Sequence, residues 1–378
     1  MKPGVLALCI ALVPFSLLGN SLGTRVFAGP RFVLVRVAEG LHHPWALAFV
    51  GEGRLLISER RGTLRVLEQG VFKPVSGIPA IPAIGQGGLM DIALHPGFSY
   101  NRLVYFSHAA SLGSATVTAV SRARLVHTGT GGTPGWRLEG WTRILTLSNR
   151  GTNGLHFGSR LIFDADGFLF VSVGERFAMQ AAQDPATHAG KTLRVRADGT
   201  IPSDNPWVGQ AGFLPEIWSL GHRNAQGMVY DHTRGILWQH EHGPRGGDEL
   251  NIIRRGANCG WPTVTHGIDY SGASISPHNR RAGMESPLLH WTPSIAPSGL
   301  AVCRGAAFPF WEGDLFAGAL AGQQLRRIRI RDGRVVEEER LLADRIARIR
   351  DVRCGPDGRI WLVTDSARGA LYRLDPVR

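Results

Sequence analysis

A strand-turn-strand pattern recurs along almost the whole chain and limits the possible folds more than any other feature. Each copy has a short apolar run, a tight turn, and a second run rich in Leu, Val, Ile and aromatic residues. In the three clearest copies the turn contains Asp-Gly or Glu-Gly, which is typical of a β-hairpin. The copies, about six in all, begin at or near Leu47, Met90, Leu161, Met228, Leu300 and Val352.

The spacing of these copies favours a ring of small sheets. Common propeller repeats take roughly 40 to 50 residues per blade, and most of the intervals in this chain are longer. We therefore predict an all-β fold, a six-bladed β-propeller with long inter-strand insertions on one face, where an active site would lie. A two-sheet sandwich is the alternative, but it does not explain a turn pattern that continues from Leu47 to the last residues.

The first residues have the features of a secretory signal. Lys2 precedes an uncharged apolar run over residues 5–18, and small residues follow, as in a signal peptide. The run is too short for an ordinary membrane span. We predict a signal peptide and leader over 1–28, cleaved near position 23 or 28, and a single propeller domain over 29–378 in the periplasm or outside the cell. An uncleaved membrane anchor is the alternative.

Three cysteines remain once the leader is removed: Cys259, Cys303 and Cys354. An odd number permits one disulfide and one free thiol, but the spacing indicates neither a disulfide framework nor a zinc site. Because free cysteine is often a small core residue, we expect three buried structural cysteines.

The net charge of +12 does not indicate a nucleic-acid partner. Only Lys2, Lys73 and Lys191 are lysines among the 42 basic residues, and the arginines are interleaved with acidic residues along the chain. No basic helix or aromatic-basic strip of the kind that follows a phosphate backbone is present. The excess of positive charge instead favours small acidic ligands.

Two Gly-rich segments between the repeats carry residues suited to redox chemistry. TNGLHFGSRL places His156 among small residues before a strand, where an imidazole can act as a general base. A structural histidine is the alternative. SLGHRNAQGM places Arg223 beside Asn224, and this forked cation and amide together suit carboxylate and quinone oxygens.

A third segment, EHGPRGGDELNIIRRGANCGWP over 241–262, suits a hard cation. Its Gly and Pro turns expose backbone carbonyls, and Glu241, Asp248 and Glu249 add carboxylates. Oxygen ligands of this kind are typical of calcium sites. A plain acidic turn is the alternative for each carboxylate.

These motifs occur together and in a fixed order. Four of them are HFGSRL, GHRN, EHGPRGGDELN and GANxGWP. The chain also contains GLHHPWALAF, GQGGLMDIALHPGF, PSIAPSGLA and RIRDVRCGPDG. Together they closely resemble the soluble aldose sugar dehydrogenases that use pyrroloquinoline quinone, within the glucose and sorbosone dehydrogenase family. The resemblance runs from about Gly40 to the C-terminus. It implies a six-bladed propeller with the cofactor over the central channel.

The resemblance also implies catalytic and cofactor-binding residues. His156 matches the family's base, which takes the proton of the anomeric hydroxyl while hydride passes from the sugar to the quinone, and Arg223 is the second catalytic residue. The implied cofactor contacts are Gln86, Arg223, Asn224, Arg348 and Arg350. The cofactor has three carboxylates, which arginines would neutralise. A solvated strand face is the alternative for Arg348 and Arg350.

Four further positions match metal ligands of the family. Gly243 and Pro244 match two main-chain carbonyls that hold a calcium ion, which also binds the cofactor and acts as a Lewis acid. Glu249, with the main-chain carbonyl of Cys259, matches a second, structural calcium site of the aldose branch. Two departures stand out: Ala321 replaces a lysine that contacts the cofactor in the family, and Cys259 replaces a tyrosine.

The resemblance therefore implies an enzyme, a PQQ-dependent aldose dehydrogenase of the glucose type. It would oxidise aldoses to lactones and pass electrons to an external acceptor, with no stable membrane span after signal removal. A calcium-dependent propeller lactonase that uses His156 for hydrolysis is one alternative, although a lactonase has no quinone for Arg223 and Asn224 to bind. A non-enzymatic binding module is the other, and Ala321 favours it.

Overall fold

The computed structural model describes residues 32–128, 135–343 and 345–377, so the expected leader over 1–28 lies outside the described residues. Within these ranges the chain forms four four-stranded antiparallel sheets and one eight-stranded sheet that contains two further four-stranded units, and these six units are the blades of a β-propeller. The predicted six-bladed all-β fold is confirmed. None of the helices in the described ranges is long and apolar enough to cross a membrane.

The strands follow one another blade by blade, except that the first strand, β1 (Phe32–Leu41), belongs to blade 6. Blade 1 contains β2 (Pro44–Gly51), β3 (Arg54–Glu59), β4 (Thr63–Glu68) and β5 (Val71–Ser76). Blade 2 contains β6 (Leu89–Leu94), β7 (Leu103–Leu112), β8 (Ala115–Thr128) and β9 (Gly135–Thr146). Blade 3 contains β10 (Gly158–Phe163), β11 (Leu169–Val173), β12 (Lys191–Val195) and β13 (Ile217–Leu220).

The second half repeats this arrangement. Blade 4 contains β14 (Ala225–Asp231), β15 (Ile236–Glu241), β16 (Asp248–Ile253) and β17 (Leu289–Trp291). Blade 5 contains β18 (Pro297–Cys303), β19 (Asp314–Ala319), β20 (Leu325–Arg331) and β21 (Arg334–Leu341). Blade 6 contains β22 (Ile349–Cys354), β23 (Ile360–Thr364), β24 (Gly369–Pro376) and β1. Short helical turns cover Phe98–Asn101, Met179–Ala182 and Pro309–Trp311.

The innermost strand of each blade is the strand in which a sequence repeat begins. These six strands, β2, β6, β10, β14, β18 and β22, contact one another in a closed ring. In the three clear repeats the turn glycines Gly53, Gly167 and Gly358 have φ values of 65°, 81° and 78°. This left-handed conformation carries little cost only in glycine, so the acidic-Gly turns predicted from the sequence are confirmed.

Apolar side chains of neighbouring blades share common cores. One cluster joins Trp45 and Leu56 of blade 1 to Met90 and Phe106 of blade 2, and Phe157 closes it on the side of blade 3. All five are buried. Burying one large apolar side chain contributes about 1.5 to 3 kcal/mol, so these shared cores stabilise the contacts between blades as well as the blades themselves.

The ring closes through pairing of the two ends of the described chain. Strand β1 pairs antiparallel with β24, from Phe32 opposite Pro376 to Leu41 opposite Gly369. Blade 6 therefore takes three strands from the end of the chain and one from its beginning. Blades 1 and 2 are also joined at their outer edges, because β5 and β9 pair in parallel at Val75 and Trp136.

A buried ion-pair network fills the centre of the ring. The Arg160 side chain lies 3.2 Å from Asp91 and 2.8 Å from Asp351, and Arg353 pairs with the same two carboxylates. The Arg160 guanidinium also lies 4.3 Å from the centre of the Trp45 ring. These residues come from blades 1, 2, 3 and 6, so the network links blades that are distant in sequence.

The cysteines differ in part from the expectation of three buried structural cysteines without a disulfide framework. Cys303 and Cys354 form a disulfide across a sequence separation of 51 residues, which joins β18 of blade 5 to β22 of blade 6. Cys259 is free and buried. The expectation is correct for Cys259 and wrong for the other two, because two inner strands that are far apart in sequence lie side by side in the ring.

Candidate active site

His156 lies immediately before β10, at the entrance of blade 3. The residue is 4% exposed, and its Nδ1 lies 2.8 Å from a carboxylate oxygen of Glu175. Its backbone N–H donates a 2.9 Å hydrogen bond to the Gln86 side chain. The φ of His156 is 50°, a left-handed conformation that is uncommon outside glycine and that clusters at functional sites. The surrounding residues therefore hold the imidazole in one orientation.

Burial is the largest cause that lowers the pKa of His156 below its ordinary value. Glu175 opposes this effect, while Arg223 and Arg176 lower the pKa further. The imidazole is therefore neutral at neutral pH. Because a carboxylate can only accept a hydrogen bond, Nδ1 donates its proton to Glu175 and Nε2 keeps a lone pair. No side chain in the described ranges hydrogen-bonds to Nε2, so the imidazole is arranged as a general base.

A cleft of about 240 Å³ is lined by Phe157, which follows His156 in the chain, and by Gln86, which accepts the His156 backbone N–H. All six blades contribute to its walls. The lining residues are Trp45, Arg60, Gln86, Met90, Phe157, Gly158, Asn224, Gln226, His242, Ala296, Leu320, Arg348, Arg350 and Asp365. Four of the five residues expected to contact the cofactor are therefore brought together in one cavity.

The walls of this cleft carry an excess of positive charge. Arg60, Arg348 and Arg350 face one lining carboxylate, Asp365. Arg350 donates to Asp365 at 3.3 Å and to the Gln226 side chain at 3.0 Å, and burial lowers its pKa to about 10. Burial opposes ionisation of Asp365, yet Arg350 and other neighbours hold its pKa well below the usual range. The cleft thus suits an anionic ligand.

Asn224 is oriented by hydrogen bonds from the cleft wall. Its Oδ1 accepts from the Gly158 backbone N–H at 3.1 Å and from Gln226 at 3.2 Å. The residue is 1% exposed. With its oxygen occupied, Asn224 is left with its NH₂ group as the donor that a ligand in the cleft could use.

Arg223 does not line this cleft together with Asn224. Its guanidinium donates to the main-chain carbonyls of His242 at 3.1 Å and Gly243 at 2.7 Å. A third contact reaches the Tyr270 hydroxyl at 3.4 Å. The chain bends at Arg223, before β14 begins at Ala225, and the carbonyls of the next connection hold the Arg223 side chain. The arginines of the cleft are therefore Arg60, Arg348 and Arg350.

Gly243 and Pro244 lie in the connection between β15 and β16, and both are buried. A Cβ at Gly243 would collide with the Gly246 carbonyl, so this tight turn requires glycine. Asp248 shapes the same turn, since it accepts hydrogen bonds from the N–H groups of Gly243 and Ile295. The part of the chain that the structure describes contains no group of three or more His, Cys, Asp or Glu side chains arranged to hold a metal ion.

Two carboxylates, the buried Glu241 and the half-buried Glu249, lie side by side below this turn. Glu241 of β15 is directly opposite Glu249 of β16, and Asn251 donates to both, at 3.3 Å and 3.2 Å. The pKa of Glu249 is raised to about 8, mainly by burial and secondly by the negative charge of Glu241. Burial and the same two carboxylates raise the pKa of the Cys259 thiol. Among the described residues, Glu241 has His222 as its ion-pair partner and Glu249 has none, and two adjacent carboxylates with so little neutralising charge are an environment that a bound cation would stabilise.

The turn after β19 contributes Leu320 to the lining of the cleft and no charged or amide side chain. Leu320 lines the cleft, and its neighbour Ala321 is exposed. Arg326, a candidate to reach the cofactor instead, forms a 3.1 Å ion pair with Glu338 and does not line the cleft. Lys191 is buried in blade 3, where it donates to the carbonyls of a neighbouring loop.

Several site residues were not predicted from the sequence. Each of three such residues lies at the end of a buried strand. Arg60 directly follows β3, Asp365 directly follows β23, and Glu175 lies two residues after β11. Such strand ends meet at the central cleft of a propeller. The signal that could have found them is a charged residue that ends an apolar run in the repeat, as in VSVGE and WLVTD.

Comparisons with known proteins agree with this geometry. The family model described as Glucose / Sorbosone dehydrogenase matches residues 41–373. Over 373 residues the chain is 40% identical to "Aldose sugar dehydrogenase YliI" of Escherichia coli (strain K12), an alignment that covers 97% of this chain and 98% of that protein.

Two solved structures are similar over nearly the whole fold. The soluble aldose sugar dehydrogenase from Escherichia coli in its apo form is 38% identical, with a TM-score of 0.87 over 92% of this chain and 100% of the other. The PQQ-bound form of aldose sugar dehydrogenase from Streptomyces coelicolor is 26% identical, with a TM-score of 0.76 over 92% and 99% of the two chains.

Proposed function

Because the chain belongs to the glucose/sorbosone dehydrogenase family, we propose that it is a quinoprotein that oxidises the anomeric carbon of aldose sugars to lactones. Pyrroloquinoline quinone is the proposed cofactor, with calcium and an external electron acceptor. Two relatives support this assignment by name, one as an aldose sugar dehydrogenase and one as a PQQ-bound structure of such an enzyme. The leader expected over 1–28 supports a periplasmic or secreted location.

The observation that carries the proposal is the cationic cleft beside a histidine-carboxylate pair. The lining of the cleft contains three arginines, Arg60, Arg348 and Arg350, and one carboxylate. This excess of positive charge fits a ligand with three carboxylates. His156 and Glu175 lie at the edge of the same cleft, through the hydrogen bond of His156 to Gln86. The residues present therefore fit pyrroloquinoline quinone.

The cofactor, when bound, would supply the hydride acceptor, and calcium would polarise it. The protein's own residues supply the proton chemistry. Nε2 of His156 takes the proton from the anomeric hydroxyl of the sugar. Glu175 stabilises the imidazolium that forms, because the carboxylate already accepts the hydrogen bond from Nδ1. Asn224 would donate to an acceptor atom of the ligand, and Arg348 and Arg350 would hold its carboxylates.

Calcium would bind in two places on this proposal. The carbonyls of Gly243 and Pro244 would hold the active-site ion, and the Gly243 carbonyl also accepts a hydrogen bond from Arg223. Two neutral carbonyls are a small part of the six to eight ligands that calcium prefers, so the cofactor would complete this site. Glu249, with the carbonyl of Cys259, would hold the structural ion, and the neighbouring Glu241 adds negative charge.

Reconstitution tests the proposed function and separates it from its two alternatives. The purified protein is mixed with quinone and calcium, and the bleaching of a redox dye is followed with glucose. Dye bleaching that requires the quinone, falls in chelator and returns with calcium supports the dehydrogenase. Hydrolysis of a lactone with calcium alone indicates the lactonase, and the absence of both activities indicates a binding module.

A further inference from the structure

The loop after β11 holds two consecutive residues in the left-handed conformation. The φ values are 61° at Arg176 and 65° at Phe177. Side chains with a Cβ persist there only where their surroundings enforce it, and such residues cluster at functional sites. The Arg176 guanidinium lies 3.6 Å from the centre of the Phe157 ring and donates to the Thr116 hydroxyl at 2.9 Å. Glu175 accepts a 2.6 Å hydrogen bond from the Phe177 backbone N–H.

This conformation places an aromatic ring directly against the base. The ring centres of Phe177 and His156 are 4.1 Å apart, with 31° between their planes. Phe177 is nevertheless 46% exposed, although phenylalanine is usually buried. The Arg223 guanidinium lies 5.9 Å from the Phe177 ring and 5.9 Å from the ring of Tyr270, which is 59% exposed. One part of the Phe177 ring thus covers the imidazole and the rest faces solvent.

We propose that Phe177 is a specificity-determining residue, the apolar surface on which an aldopyranose ring stacks while its anomeric hydroxyl reaches Nε2 of His156. This inference rests on the proposed function and adds the substrate contact to it. A pyranose has a polar edge and an apolar C–H face, and aromatic rings provide the matching apolar surface in mostly polar sites. His156 is 4% exposed and Phe177 is 46% exposed, so the Phe177 ring is the solvent-facing apolar surface in direct contact with the imidazole.

The position of the ring predicts which sugars the site accepts. Aldopyranoses with equatorial hydroxyls present a flat C–H face to Phe177. Sugars with an axial hydroxyl on that face place a polar group against the ring, where it loses water without gaining a hydrogen bond. The first group is therefore the preferred substrate class.

The test measures sugar binding without turnover. The probe is 1-deoxyglucose, which lacks the anomeric hydroxyl and cannot be oxidised to a lactone, added to protein reconstituted with quinone and calcium. Phe177→Gly removes the ring at a position whose positive φ suits glycine. The thermal unfolding temperature of this variant should therefore not fall below that of the wild type. Phe310→Gly removes the same ring where it is 82% exposed and is the matched control.

We expect the Kd of the probe to rise about tenfold in Phe177→Gly, as for the loss of an aromatic contact. Phe310→Gly should bind as the wild type does, and Phe177→Trp should retain binding. The KM for glucose should rise in Phe177→Gly more than kcat falls. Equal Kd values for the wild type and Phe177→Gly, or no binding to the wild type, would overturn the proposal. Phe177-dependent binding without glucose oxidation would support the sugar platform and reject the proposed dehydrogenase.

Discussion

Glu175 determines which nitrogen of His156 can accept a proton. Its carboxylate oxygen lies 2.8 Å from Nδ1 and keeps the proton on that nitrogen. The same carboxylate raises the pKa of the imidazole, whereas burial, which is the larger effect, lowers this pKa. The same carboxylate accepts the backbone N–H of Phe177. One side chain thus sets the tautomer of the base and the position of the ring beside it.

Glu175→Gln should therefore change both the rate and its pH dependence. The amide can still accept from Nδ1 but no longer stabilises an imidazolium, so we expect kcat to fall roughly 10- to 1000-fold. Glu175 raises the pKa of His156, so its loss lowers that pKa, and the acid limb of the pH-rate profile should move to lower pH. The profile of kcat/KM is the measurement, with Glu312→Gln, a distant exposed carboxylate, as control. An unchanged acid limb would contradict this role.

The absence of a lysine at position 321 should weaken cofactor binding. Ala321 is exposed next to Leu320 of the cleft, and a charged hydrogen bond is worth about 1.5 to 3 kcal/mol, or roughly ten- to a hundredfold in affinity. We expect the purified protein to be largely free of quinone and Ala321→Lys to bind quinone more tightly. Titration of quinone measures both. Gln323→Lys places the same charge elsewhere in the turn, and equal gains from both variants would indicate a general charge effect instead.

Single residues could be predicted where their chemistry is local to a motif. The sequence identified five residues that the structure brings to the cleft or its edge: Gln86, His156, Asn224, Arg348 and Arg350. The placement of Arg223 away from the cleft was not predicted, because it depends on the carbonyls of a turn in the next blade. Glu175 and Asp365 were missed because their partners lie on other strands.

At the scale of strands, local turn chemistry was sufficient for the hairpins but not for pairings between distant segments. The acidic-Gly turns and the six inner strands follow from alternation within short windows of sequence. The pairing of β1 with β24 joins the two ends of the chain, and the parallel contact of β5 with β9 joins two blades. Neither contact leaves a local pattern.

The disulfide between β18 and β22 should stabilise the fold by closing a long loop. For a sequence separation of 51 residues, the chain-entropy model gives about 4 kcal/mol. We expect the double variant Cys303→Ala with Cys354→Ala to unfold at lower urea concentration. Cys259→Ala, which removes the free thiol, is the control, and reductant should shift the wild type but not the double variant. Equal stability of the oxidised and reduced wild-type protein would contradict this expectation.

At the scale of the whole molecule, the ion pairs of Arg160 link the blades around the channel. The residue is 2% exposed, and it also donates to the backbone carbonyls of Gln226 and Arg350. Because Arg350 lines the cleft, the same network supports the floor of the proposed cofactor site.

Removal of Arg160 should therefore destabilise the entire ring. Arg160→Met leaves Asp91 and Asp351 with less neutralising charge in a buried site, a change that costs about 3 to 5 kcal/mol when a buried pair is broken. Arg54→Met removes an exposed partner of Glu68 and should cost less than about 1 kcal/mol. Urea unfolding of both variants is the measurement. A similar small cost for both would show that the central network contributes little to stability.

The central claim is that this chain oxidises aldoses at the anomeric carbon through a bound quinone. The most direct test mixes reconstituted holoprotein with glucose under anaerobic conditions and follows the quinone absorption together with the sugar product. We expect one equivalent of lactone for each quinone that is reduced, no reaction with methyl glucoside, and slow reduction in His156→Ala although the quinone still binds. Full binding of quinone and calcium without any reduction by a panel of aldoses would contradict the claim.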